Sequence, residues 1–260
     1  MNQQQTEISK IGEFGLIDRL TDGISLVNKS SLRGVGDDCA VLRYPDTDVL
    51  VSTDLLVEGI HFDLTYVPLK HLGYKAAVVN FSDIYAMNGH PRQITVSIAI
   101  SSRFTVEHIE ELYSGIRLAC EIYGVDLVGG DTTASRSGLV ISITAIGDAP
   151  ADRIATRSGA KPTDLICVSG DLGAAYMGLQ LLEREKTASV GQTDFQPQFQ
   201  GKEYLVERQL KPEARRDIIE NLEKAHIVPT SMIDVSDGLS SELLHICKAS
   251  GVGCRVYEDR

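Results

Sequence analysis

Ile94-Thr95-Val96-Ser97-Ile98-Ala99-Ile100 alternates apolar and small residues with a period of two, the pattern of a strand with one face buried and the other open. Leu139 to Ile146 repeats the alternation and ends at Gly147-Asp148. Between them Thr105 caps a helix whose apolar stripe is Val106, Ile109, Leu112, Ile116 and Ala119, closed by Gly124. Val125-Asp126-Leu127-Val128 then forms a strand that runs into Gly129-Gly130-Asp131. Upstream, Val49 to Asp54 reads as a buried strand ending on polar residues, followed by a turn over Val57 to Phe62. Pro68 opens a helix that runs through Leu72, Ala76, Asn80, Ile84 and Met87 and stops before Gly89 and Pro91. Strands and helices mix without a regular βαβ beat. The expected fold is α+β, with a mixed or antiparallel N-terminal sheet carrying helices on one face.

Outside this block the signals are weaker. A short helix is expected over 7–20 and a loop over 21–33. A first domain is expected over 1–149 and a C-terminal α/β domain over 150–260. In the second domain, Asp164 to Ser169 reads as a strand, and Gly170-Asp171-Leu172-Gly173 leads into a helix through Leu181. An aperiodic loop spans 187–201, Pro212 opens a helix to Ala225, and Gly238 to Lys248 forms a helix with Gly251 past its end. Val252 to Tyr257 reads as a strand, after which the chain stops as if inside a domain.

The 260 residues are 43% hydrophobic and 23% charged, with 23 Gly against 8 Pro and a net charge of −11. That is an ordinary globular composition with length enough for a sizeable core. The negative balance argues against nucleic acid and against anionic membranes. It is compatible with a phosphorylated substrate, because acids recruit Mg²⁺ and the metal then faces the phosphate. The five cysteines, Cys39, Cys120, Cys167, Cys247 and Cys254, form no C-x-x-C pair, so zinc and thioredoxin-type chemistry are disfavoured. No signal peptide and no apolar run of spanning length is present, and the chain reads as cytoplasmic with reduced thiols.

One feature recurs along the chain: acids in tight, small-residue settings. Gly34-Val35-Gly36-Asp37-Asp38-Cys39-Ala40 places two carboxylates side by side. Such neighbours repel and raise each other's pKa, so a cation is expected close by. Ser52-Thr53-Asp54, Asn80-Phe81-Ser82-Asp83, Gly129-Gly130-Asp131-Thr132-Thr133 and Asp234-Val235-Ser236-Asp237-Gly238 repeat the theme. Mg²⁺ takes octahedral oxygen ligands and is held by carboxylates together with substrate phosphates. Asp38, Asp54, Asp83, Asp131, Asp234 and Asp237 could supply the carboxylates, and Ser52, Thr53 and Ser236 further oxygens. Each acid beside a glycine is also an ordinary turn residue that bonds its own backbone. A mid-helix Asp83 is otherwise a solvated surface acid, and Arg157, the best phosphate-neutralising candidate, is otherwise a surface arginine. Other phosphate loops are absent. Gly159-Ala160-Lys161-Pro162-Thr163 lacks the upstream glycine of a P-loop, and Gly34-Val35-Gly36 is not completed to a Rossmann fingerprint. No G-x-S-x-G or H-E-x-x-H occurs. Of the six histidines, His61, in a turn after Gly59, is the one placed to bind an anion.

Together with Val57-Glu58-Gly59-Ile60-His61-Phe62 and Thr156-Arg157-Ser158-Gly159-Ala160-Lys161-Pro162, these segments resemble thiamine-monophosphate kinase, in order and spacing, over nearly the whole chain. Several acid motifs are shared with the wider superfamily of aminoimidazole ribonucleotide and selenophosphate synthetases; the last two segments are specific to the kinase. The resemblance implies ATP-dependent phosphorylation of thiamine monophosphate to thiamine diphosphate, a two-domain fold and a homodimer built through the N-terminal sheets. Carried to matching positions, it implies Mg²⁺ ligands at Asp38, Ser52, Thr53, Asp54, Asp83, Asp131, Asp234 and Asp237, with Asp83, Asp131 and Asp237 at the reaction centre. It implies ATP contacts from Gly130, Asp131, Arg157 and Ser236, and a thiamine-phosphate contact from His61. Asp37 is expected to support the loop rather than bind metal. The family continues with a G-G-E-D-Y-E-like segment and a C-terminal aromatic that this chain lacks, so it reads as truncated at its C-terminus. Two other readings share the acids: a sibling ATP-using synthetase, and a nucleotide-binding protein without catalysis.

Overall fold

The computed structural model describes residues 31–33, 36–45, 47–192 and 196–257. The helix expected over 7–20, Gly34-Val35 and part of the 187–201 loop lie outside the described residues. Six strands form one sheet: β1 (Ser31–Arg33), β2 (Ala40–Arg43), β3 (Asp48–Val57), β4 (His90–Ile100), β5 (Asp126–Ala134) and β6 (Leu139–Ala149), in the order β1-β2-β3-β6-β4-β5. All neighbours are antiparallel except β4 and β5. A parallel pair needs a crossover, and here it runs through a helix, α2 (Val106–Tyr123). The sheet is therefore mixed, and β1 occupies the end of what reads as a loop over 21–33.

The alternation in the sequence is the alternation of faces. Leu50 and Leu56 of β3, Ile94, Val96 and Ile98 of β4, and Leu139, Ile141 and Ile143 of β6 are buried on one face. Against them packs α1 (Leu69–Ala86), and the buried face of α2 joins the same core through Leu112 and Ile116. Pro68 precedes α1 as its cap residue. Gly124 ends α2 at φ 70°, a left-handed conformation that costs a glycine little. Lying between the sheet and α2, α1 is buried around most of its circumference, from Leu72 and Tyr74 to Asn80, Phe81 and Ile84.

The two helices meet backbone to backbone. A Cβ on Gly73 would lie 1.9 Å from Leu112 O, and one on Gly115 would lie 1.8 Å from Lys70 O. Neither carbonyl can move without unwinding its helix. Gly115→Ala is expected to cost about 3 kcal/mol or more of stability, the upper range for overpacking. Urea unfolding checks this, and a variant as stable as the parent would mean that the helices do not approach in this way.

Beyond residue 149 the described helices are α3 (Ala174–Ser189), α4 (Glu203–Leu210), α5 (Arg216–Lys224) and α6 (Leu239–Ser250). α4 is a helix the sequence reading did not anticipate, and α5 starts four residues after Pro212. The segments 164–169 and 252–257 are not in strands. Their apolar residues favour extended backbone, but a strand exists only with a ladder partner. None is present among the described residues, and Leu165 is left 88% exposed.

Candidate active site

The parity of β3 that buries Leu50 and Leu56 also turns Ser52 and Asp54 toward the helix layer. Two core positions are thus polar, and α1 answers them with polar residues of its own. Asn80, fully buried, accepts the Asp54 backbone N–H at 3.1 Å and donates to Ala76 O at 2.9 Å. Asp83 accepts a short hydrogen bond from the Ser52 hydroxyl. Its neighbour Ser82, about 100° round the helix, donates to Asp234 Oδ2 at 2.6 Å.

Asp37 and Asp38 enter from the loop before β2. The cation that their pairing demands is present twice. Arg33 Nη1 donates to Asp37 Oδ2 at 2.7 Å. Arg157 grips Asp38 with a two-pronged fork, Nη2 to Oδ1 at 2.7 Å and Nε to Oδ2 at 3.2 Å. Such forks combine charge with fixed geometry. Arg157 is therefore not an idle surface residue. Asp37 also accepts the backbone N–H groups of Asp38 and Arg157, which are the contacts of a residue bracing the loop. The side chains of Asp37 and Asp38 are 0% and 2% exposed.

The segment that carries Arg157 is laced to the one that carries Asp234. Met232 N–H donates to Thr156 O, and the hydroxyls of Ser231 and Ser250 both donate to Arg157 O. That lacing lets residues 157 and 234 enter the same site as Asp38 and Asp83.

One carboxylate oxygen from each of Asp38, Asp83 and Asp234 lies within 4.8 Å of the other two. Burial is the main reason these groups resist ionisation. It lifts Asp83 to about 8, with Asp54, Asp234 and Asp38 adding like charge. Asp38 rises only to about 6, because the Arg157 fork offsets part of the burial. Asp234 and Asp54 are also raised, again chiefly by burial. Five carboxylates (Asp37, Asp38, Asp54, Asp83 and Asp234) thus share two guanidiniums. The surplus negative charge, the all-oxygen donor set and the converging oxygens fit a hard divalent cation such as Mg²⁺. Asp83, on a buried helix, is not a solvated surface acid. Its place in the last turn of α1, where the helix dipole disfavours anions, makes a cation there still more welcome.

The remaining sequence candidates are placed differently. Ser236 and Asp237 are exposed in the turn before α6, where Asp237 N–H donates to Glu242 Oε1 at 3.0 Å. Thr53 points to the open face of the sheet, donating to Ile143 O and accepting from Thr144. The register runs Asp54–Ile143–Val96–Gly130 across β3, β6, β4 and β5. Gly130 lies against Val96, whose carbonyl oxygen would be 1.8 Å from an added Cβ. Asp131 falls in the adjacent row with Ser97 and Ser142, on the open face. Three strand spacings separate β5 from β3, about 14 Å. Asp131 is therefore not brought to Asp83 within one chain. His61 stands in the turn after β3, its Nδ1 accepting Val57 N–H at 3.0 Å.

Sequence reasoning missed Arg33, Ser82, Asn80 and Glu242. Ser82 and Asn80 sat inside a quoted motif, and only the packing gives them partners. Arg33 lies four residues before Asp37, a spacing without meaning until the loop geometry is known.

Residues 36–149 match the family described as AIR synthase related protein, N-terminal domain, and the sheet, its helix layer and the acid site place the chain in that class. Over 250 residues the chain is 36% identical to the thiamine-monophosphate kinase of Bacillus subtilis, covering 95% of this chain and 73% of that protein. It is 34% identical over 254 residues to the thiamine-monophosphate kinase of Aquifex aeolicus, covering 97% and 76%. A solved structure of AaThiL complexed with AMPPCP and TMP matches with a TM-score of 0.81 and 33% identity, over 95% of this chain and 73% of that one. The chain belongs to the thiamine-monophosphate kinase family.

Proposed function

We infer that this protein transfers the γ-phosphoryl group of ATP to thiamine monophosphate, giving thiamine diphosphate. The observation that carries the reading is the convergence of buried Asp38, Asp83 and Asp234 beside the Arg157 guanidinium, in a chain whose relatives bear that activity in their names. Asp38, Asp54, Asp83 and Asp234, with Ser52, would hold Mg²⁺. When bound, Mg²⁺ there supplies charge neutralisation for two phosphates that must approach each other. The chain's own groups position. The Ser52 and Ser82 hydroxyls aim the carboxylates, Arg157 presents a guanidinium beside the polyphosphate, and Ser236 contacts ATP. His61 receives the acceptor phosphate at the end of β3. Positioning and charge stabilisation suffice for such a transfer, so it is direct and in line, without a phosphoenzyme.

The same reading assigns residues 1–149 to a domain that binds ATP and metal and self-associates, and 150–260 to a C-terminal domain whose described elements are helices. The partner is a second copy. Thr53, Ser97, Ser142 and Asp131 line a sheet face that no helix among the described residues covers, and β5 is exposed along its whole length. A second copy on that face would let Gly130 and Asp131 join the metal and ATP contacts of its neighbour, where Asp237 stands three residues after Asp234. No described helix is long and apolar enough to cross a membrane, and a cytoplasmic location fits a reaction that consumes ATP.

The experiment is an assay with Mg²⁺, thiamine monophosphate and γ-labelled ATP. Label is expected in thiamine diphosphate and none on the protein. Absence of the product overturns the activity, and a labelled protein overturns direct transfer.

A further inference from the structure

Apart from the acid site, a cleft of about 280 Å³ lies between the turn after β3, α1, α3 and α4. His61, Tyr66, Lys75, Glu183, Lys186 and Gln209 are among its walls. Most of its ionic groups are matched. Lys186 Nζ lies 2.6 Å from Asp63 and 3.6 Å from Glu183, and the Tyr66 hydroxyl donates to Glu183 at 2.7 Å.

Lys75 is not matched in this way. Its Nζ donates to Gln209 O at 3.1 Å, and among the described residues it forms no ion pair. Burial lowers its pKa from the ordinary lysine value, the sign of a cation drawn from water without a compensating anion. An ammonium has three donors. Capping the last turn of α4 through Gln209 O accounts for one of them and for part of the charge. The others have no acceptor among the described residues.

The position of Lys75 gives the unmet charge a purpose. Lys75, Val79 and Asp83 follow one another at spacings of four along α1, so they share one side of the helix. Lys75 stands about 12 Å along the helix axis from Asp83. β3 runs beside α1 from Ser52, which meets Asp83, toward Val57 and the His61 turn. The cleft with Lys75 and His61 therefore opens beyond the Asp54 end of the acid site.

We propose that Lys75 is a substrate-binding residue whose ammonium holds the phosphate of the acceptor, so that this cleft prefers a phosphorylated acceptor to the free alcohol. The proposal rests on the reading that the cleft at His61 receives thiamine monophosphate. It adds a residue and a cause of selectivity that the acid site does not contain.

Two variants test it. Lys75→Met removes charge and donors while keeping the length of the side chain. Lys75→Gln removes the charge but keeps a donor for Gln209 O. Both are expected to raise the KM for thiamine monophosphate at least about tenfold, the size of one charge-assisted hydrogen bond, and to leave the KM for ATP within about twofold. Inorganic phosphate, titrated calorimetrically into metal-free protein, is expected to bind the parent and not the variants. Without metal the acid site repels phosphate, so that titration reads the cleft. A normal acceptor KM with unchanged phosphate binding overturns the proposal and leaves Lys75 as a cap on α4; so does a Gln variant that behaves like the parent while the Met variant only melts earlier. If the parent makes no thiamine diphosphate, the activity reading falls, and the phosphate titration alone decides on Lys75.

Discussion

Asp83→Asn is expected to lower kcat on the order of 100- to 1000-fold, the cost of removing one preorganised electrostatic group from a reaction centre, and to leave the fold intact. The asparagine keeps an oxygen for the Ser52 hydroxyl and loses only the charge. The melting behaviour of the metal-free protein separates this from a folding defect. Asp83 has its pKa raised from 3.8 to about 8 in the folded chain. Between those values the folded state binds more protons than the unfolded one, so stability falls as pH rises through that window. Asp38, raised to about 6, contributes over the lower part of the same window. In EDTA the parent is expected to melt progressively earlier from pH 4 to pH 8. The variant has lost the buried charge, so it is expected to show a shallower decline and to exceed the parent at pH 8. Mg²⁺ is expected to stabilise the parent at pH 8 and the variant much less. Near-normal turnover, or a pH slope equal to the parent's, would count against the metal-holding role.

Heterodimers of an Asp83→Asn chain with an Asp131→Asn chain are expected to regain about half the parent's activity, although each variant alone is nearly inactive. The cause is the strand order. Asp54 and Asp131 lie on opposite faces of the sheet and about 14 Å apart, across three strand spacings, so one chain does not bring both to the same metal ion. If Asp131 serves the neighbouring chain, a mixed dimer has one site with both changes and one with neither. If Asp131 serves its own chain, both sites of the mixed dimer carry one change and stay inactive. Copurification of differently tagged chains and the thiamine diphosphate assay read the difference. Inactive heterodimers, or an Asp131→Asn homodimer with parental turnover, would remove Asp131 from the shared site.

Local pattern was a reliable guide wherever local physics sets the structure. The alternation of Ile94 to Ile100 and of Leu139 to Ile146 became β4 and β6. The helix bounded by Thr105 and Gly124 became α2 to the residue. α4 went unread because its stretch follows an aperiodic loop and buries little; Leu210 is its one buried residue. The strands expected at 164–169 and 252–257 have the right composition, but no ladder partner stands beside them among the described residues.

The candidate site divides along the same line. Residue order alone sets which side-chain types are present and, through strand parity, which way they turn. Leu50 and Leu56 must face the core, so Ser52 and Asp54 face it too and Thr53 does not. It also required a cation beside Asp37-Asp38, because two adjacent carboxylates repel. Packing is what makes this cation Arg157 together with Arg33, and what brings Asp234 to Ser82 across 152 positions. It alone set Asp131 three strands away from Asp54. Backbone periodicity is written in neighbouring residues, whereas convergence depends on strand order and on which surfaces pack together. No spacing along the chain encodes that.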